Sequence, residues 1–170
     1  MTLARFYLWS ERVIIPTVAR TEAGFYTDIE PIAVLEIKET TLLKESMLAV
    51  LSRANPEIPT PTRAEAPGSV VLEALELKKW AAFEKKAVLY MVHKRDEAII
   101  VYGTGRGDNG MWTEKKSREK LFSADTPVSE IFEYVLGDML EQPESSPPPS
   151  PPMLMLPPPR TDKESSDQGP

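Results

Sequence analysis

The segment with most chemical potential is Gly103-Thr104-Gly105-Arg106-Gly107-Asp108-Asn109-Gly110, because four glycines within eight residues let a backbone approach a ligand closely. Gly105, Gly107 and Gly110 satisfy the spacing GxGxxG. A dinucleotide fingerprint, however, opens the helix of a parallel βαβ unit, and the apolar run before these glycines reads as the returning arm of a hairpin. A phosphate-cradling P-loop needs Lys after its last glycine, where this chain has Met111. The segment is therefore expected to bind no nucleotide. It reads as a loop that either contacts a protein partner or is a plain flexible connection. In the first case Arg106, Asp108 and Asn109 present its polar groups. Trp112 then supplies a partly exposed aromatic anchor of the kind enriched in interfaces.

Elsewhere the inventory for catalysis is short. The chain has no cysteine and one histidine, His93, which stands beside a polar turn with no serine and acid arranged around it. One imidazole with scattered carboxylates has no metal-ligand spacing, so neither metal nor cofactor is expected. Glu73 and Glu76 fall at helical spacing, as on any solvated helix face. Lys115, Lys116, Arg118 and Lys120 read in the same way, as a solvated strand or helix face. These residues form no recognisable catalytic constellation.

The elements that would carry these residues follow from periodicity. Residues 6–9, 13–19 and 32–38 are β-branched or alternate with period two, which predicts three strands, the first two joined by a short turn at Ser10, Glu11 and Arg12. Thr21 to Gly24 makes the next turn, and Pro16 places its strand at an edge or on a bulge. From Thr41, suited to N-capping, Leu43, Met47, Val50 and Leu51 recur at helical spacing until Asn55-Pro56. Residues 54–69 carry four prolines and a glycine and read as an irregular loop. Helical pattern returns at 70–77 and 79–86, with Leu72, Leu75, Trp80 and Phe83 inward. Trp9 and Trp80 are expected in the core. A hairpin of strands 87–92 and 98–102 follows, turning at 93–97, with Ile99, Ile100 and Val101 buried on both faces. Last comes a helix capped by Thr126 with Pro127 at its first position. Its apolar face is Val128, Ile131, Phe132, Val135, Leu136 and Met139.

Strands that come as neighbouring hairpins, not in alternation with helices, predict an α+β fold: antiparallel hairpins in a small sheet packed against about three helices. One such domain is expected over residues 1–141, and ten of the 17 prolines lie beyond residue 142. Residues 142–170 therefore read as a disordered proline-rich tail that samples polyproline II, with residues 153–156 (MLML) as its one apolar island. The formal charge of −6 opposes the counterion release that drives nucleic-acid binding. The absence of cysteine suits a reducing, cytoplasmic compartment, and no run reaches the ~18 apolar residues of a membrane span.

Two stretches resemble bacterial immunity proteins of contact-dependent growth inhibition and related polymorphic toxin systems. They are LKKWAAFEKKAVLYMV at 77–92, a short helix running straight into a hairpin strand, and FSADTPVSEIFEYVL at 122–136, a polar turn leading into a closing helix. The resemblance implies a single noncatalytic domain that neutralises a cognate toxin by occluding its active site. The alternative left open is an adaptor whose proline-rich tail recruits a partner.

Overall fold

The computed structural model describes residues 1–62, 69–108 and 112–143. Its centre is one seven-stranded sheet, built from β1 (Thr2–Trp9), β2 (Arg12–Thr21), β3 (Tyr26–Glu36), β4 (Glu57–Ile58), β5 (Val88–Lys94), β6 (Ala98–Arg106) and β7 (Trp112–Ser123). The long strands run in the order β3-β2-β1-β5-β6-β7 with every neighbouring pair antiparallel. The short β4 pairs in parallel with the end of β2. Four helices complete the α+β fold: α1 (Thr40–Leu51), α2 (Ser69–Ala74), α3 (Trp80–Glu84) and α4 (Val128–Leu140).

Alternation along β1 sends its side chains to two different cores. Ala4, Phe6 and Leu8 join Val13, Ile15, Tyr90, Val92 and Val101 under α1 and α4, where Leu43, Met47, Phe132, Val135 and Met139 meet them. Tyr7 takes the other face with Ile14 and Leu89, under Val71, Leu75 and Phe83 from the α2 and α3 region. The sheet is thus the middle layer of three, with α1 and α4 packed on one face and α2 and α3 on part of the other.

Several expectations need revision. The first hairpin turns on two residues, Ser10 and Glu11, whose φ angles of 48° and 62° give the left-handed pair that matches strand twist. Of the two alternatives for Pro16, the bulge holds: a register shift against β3 falls at Pro16, in a strand interior to the sheet. Thr41 lies inside α1, whose N-cap position is Glu39, and Pro127 rather than Thr126 takes that position in α4. Neither helix has a side-chain cap bond. Part of the expected loop at 54–69 is ordered by Asn55, which accepts from Leu3 N at 2.7 Å and donates to the carbonyls of Leu3 and Val18, both at 2.8 Å. His93 and Lys94 belong to β5 instead of the turn, and Ile100 is only partly buried. Leu72, Trp9 and Trp80 are half-buried beside the core, while Val70 and Val71 take the inward places in α2.

The largest correction concerns the glycines. Gly103, Thr104, Gly105 and Arg106 are not loop but the end of β6, paired with a strand that periodicity did not reveal, β7. A Cβ on Gly103 would come within 2.8 Å of the Arg118 side chain, and one on Gly105 within 2.5 Å of Lys115. These glycines make room for long basic side chains crossing from β7. Most of β7 is exposed, and its lysines and glutamates are what a solvent-facing edge strand carries to discourage pairing with other chains. The tail expected at 142–170 lies outside the described residues from 144 onward.

Candidate partner-binding surface

Where α2 and α3 stop covering the sheet, an open cleft of about 320 Å³ remains. Arg5 and Tyr7 reach it from β1, Tyr26 and Asp28 from β3, Met91 from β5, and Trp80 and Trp112 form its aromatic wall. At its base, Tyr7 Oη donates to Asp28 Oδ2 at 2.5 Å while Arg5 Nη1 donates to Asp28 Oδ1 at 3.0 Å. A second Arg5 nitrogen reaches the Tyr26 carbonyl at 3.3 Å. The Asp28 carboxylate is 3% exposed, so its charge is matched in place by Arg5 and not by water. Burial, reinforced by the Asp28 charge, pushes the Tyr7 hydroxyl well above its ordinary pKa, which keeps it a neutral donor.

Four rings converge above this base. Tyr7 lies 5.4 Å from Phe83, 5.8 Å from Trp112 and 6.4 Å from Trp80, and the two tryptophans meet edge-on at 5.8 Å. Trp112 is half-buried among these rings and stands in a strand, not in a loop. It opens β7, packs into this cluster, and donates its indole N–H to the Ala87 carbonyl at 2.8 Å. Arg106 is likewise engaged within the chain: it donates to the carbonyls of Glu84 and Ala87, the latter at 2.7 Å, with its guanidinium 5.9 Å from the Trp112 ring. Asp108 is exposed, as a contact residue must be, and Asn109 lies outside the described residues. The structure thus brings Arg106 and Trp112 together as a brace between α3 and the end of the sheet. Asp108 stands on the rim beyond it.

On the opposite face Arg118 holds α4 to the sheet. It reaches Asp138 at 2.5 Å and the Tyr90 hydroxyl at 2.5 Å, and also donates to the Thr104 carbonyl, while Tyr90 itself donates to Asp138 at 2.7 Å. Sequence reasoning placed Arg118 in a solvated basic stretch. Its partners come from β5, β6 and α4, and only the small neighbour Gly103 hinted at them.

His93 lies farther along the uncovered face, 5.3 Å and edge-on from Tyr102, with its buried Nδ1 unpartnered among the described residues. Burial, then the charges of Arg95 and Arg5, lower its pKa below the ordinary 6.5. The unfolded chain therefore takes a proton that the folded site resists. Stability from this group is present above about pH 6.5 and is lost as pH falls below it. His93→Gln is expected to flatten the fall in urea midpoint on the acid side of that value. Parallel profiles for the two proteins would show that His93 does not couple to folding.

Among the described residues no set of three or more His, Asp or Glu side chains is placed to hold a metal, and no helix is long and apolar enough to cross a membrane. No family model and no curated protein matches the sequence. Solved structures do match the fold. A protein of unknown function from Neisseria meningitidis, NMB0488, superposes with a TM-score of 0.55 at 14% identity, over 82% of this chain and 93% of that one. A chain of the CdiA-CT/CdiI toxin and immunity complex from Yersinia pseudotuberculosis superposes with a TM-score of 0.54 at 14% identity, over 78% of this chain and 92% of that one. At such identity the likeness establishes a shared fold, the antiparallel sheet with its covering helices over most of this chain.

Proposed function

We propose that this chain is a noncatalytic immunity-type protein that binds a cognate toxin and occludes its active site. The observation supporting this is the fold shared with a chain of a toxin and immunity complex over 92% of that chain's length. The two stretches that resemble immunity proteins agree with it, since one runs from α3 into β5 and the other into α4. The contact surface in this reading is the polar rim around Asp108, because an inhibitor that waits in solution cannot expose a broad apolar face. An exposed carboxylate on a chain of net charge −6 suits a basic toxin surface, steering encounter and fixing register.

The test is co-expression with the product of the adjacent gene, reading complex formation and, where that product is toxic, survival. A stable complex and protection are expected. Asp108→Lys should keep the fold and weaken the complex by about 2 kcal/mol, some thirtyfold in affinity. An adjacent gene product that is not toxic, or that this chain neither binds nor neutralises, would end the proposal. Full affinity of the charge-reversed variant would move the contact surface away from this rim.

A further inference from the structure

Among the described residues nothing fills the aromatic cleft, and the chain itself carries a segment whose chemistry matches it. The described chain ends at Pro143, which with Gln142, Arg106 and Arg118 lines a second, smaller cleft at the end of the sheet. That cleft and the aromatic one share Trp112. Pro143, the last described residue, and Trp112 of the aromatic wall thus border the same small cleft. Beyond Pro143, residues 145–159 (SSPPPSPPMLMLPPP) carry no charge at all, and eight of the fifteen are proline. Nine residues, 144–152, separate Pro143 from the apolar island at 153–156. A polyproline II segment of that length reaches ~28 Å at ~3.1 Å per residue.

The cleft offers what such a segment needs. Arg5 and Asp28 neutralise one another at its base, so an uncharged ligand loses no charge pairing there. Proline rings and apolar side chains stack on faces such as those of Tyr26, Trp80 and Trp112, the usual means of reading polyproline. Polyproline II makes no hydrogen bonds of its own, which leaves its carbonyls seeking donors. The Trp80 indole N–H and the Tyr26 hydroxyl line the cleft and have no partner among the described residues.

We propose that residues 145–159 dock in the aromatic cleft of their own chain, with residues 153–156 laid against Met91 and Trp80. The apolar part of the uncovered face is then closed by the chain's own tail, while the polar rim at Asp108 stays open. The native sequence has no cysteine, so Ser150→Cys gives a single attachment point for a nitroxide in the full-length protein. Paramagnetic broadening is read on the free protein, without any toxin, at the Met91 methyl and the Trp80 indole. The Met47 methyl, fully buried under α1 on the opposite face, is the control.

The expected result is severalfold loss of the Met91 and Trp80 signals relative to the reduced label, with Met47 unchanged. The signals should recover when Met153→Ser, Leu154→Ser, Met155→Ser and Leu156→Ser are added. Unbroadened Met91 and Trp80 signals would overturn the proposal. So would broadening that persists in the serine variant. Broadening transferred to isotope-labelled chains from separate spin-labelled chains would also overturn it, because the tail would then occupy a second copy.

Discussion

Phe132→Asp is expected to abolish cooperative folding. Phe132 is 2% exposed in the core beneath α1 and α4, and it packs with Ile131, Val135 and Met139 from its own helix against the sheet. Losing the ring forfeits roughly 2–3 kcal/mol of burial. Lys44 Nζ lies 5.8 Å from the ring centroid but is already paired with Glu133 near solvent, and a carboxylate buried without a close partner costs several kcal/mol more, roughly. The sum approaches the whole of a typical domain stability of ~5–15 kcal/mol. Ile131→Asp, at 1% exposure, should behave in the same way. Glu133 is the control on the same helix. Its ion pair with Lys44 at 3.6 Å is largely solvated, so Glu133→Ala should shift stability by no more than ~1 kcal/mol. Urea unfolding followed by circular dichroism reads all three. A cooperative transition in Phe132→Asp near the native midpoint would mean that α4 does not pack as described.

The second large effect should come from the base of the cleft. Arg5→Met removes the cation from Asp28, whose side chain is 3% exposed, and leaves the carboxylate with the Tyr7 hydroxyl as its remaining side-chain partner. Breaking a buried pair from one side costs ~3–5 kcal/mol, and the 21% exposure of Arg5 places the expected loss near the lower end, ~3 kcal/mol. The cost is that of a stranded charge, which gives a further expectation. The triple variant Arg5→Met, Tyr7→Phe, Asp28→Leu removes charge, counter-charge and hydroxyl together and should be more stable than Arg5→Met alone, since apolar replacement of a complete buried network is often neutral. A triple variant less stable than the single one would show that the network contributes net stability of its own. The same measurement bears on the cleft: a loss of under ~1 kcal/mol in Arg5→Met would mean that water reaches Asp28 freely.

Legibility in the sequence followed the strength of the local pattern. The apolar face of α4 was readable because Ile131, Phe132, Val135, Leu136 and Met139 repeat at helical spacing, and all five are buried. The paired strands β1 and β2, and β5 and β6, were readable because apolar runs flank short polar turns. β7 was not, because WTEKKSREKLFS has neither alternation nor an apolar face. It is a strand because β6 offers it a ladder, and its side chains are charged because it lies at an edge. The glycines before it looked like a loop for the related reason that backbone freedom and room for a neighbour's side chain leave the same mark in a sequence.

Composition and periodicity alone determined the fold class, the main helices, the hairpins and the proline-rich character of the chain beyond residue 142, since each depends on residues close together along the chain. Tertiary structure alone decided the pairing of β1 with β5, which joins Leu8 to Val88 and Thr2 to Lys94, residues 80 and 92 positions apart. That pairing forms the continuous sheet on which Arg5, Tyr7, Asp28, Trp80 and Trp112 come together. It also turned Arg106 and Trp112 inward, leaving Asp108 as the exposed member of the predicted contact set among the described residues. Hydrogen bonds and ring contacts between distant residues have no period to betray them, because what selects them is the space left when separately legible elements pack against one another.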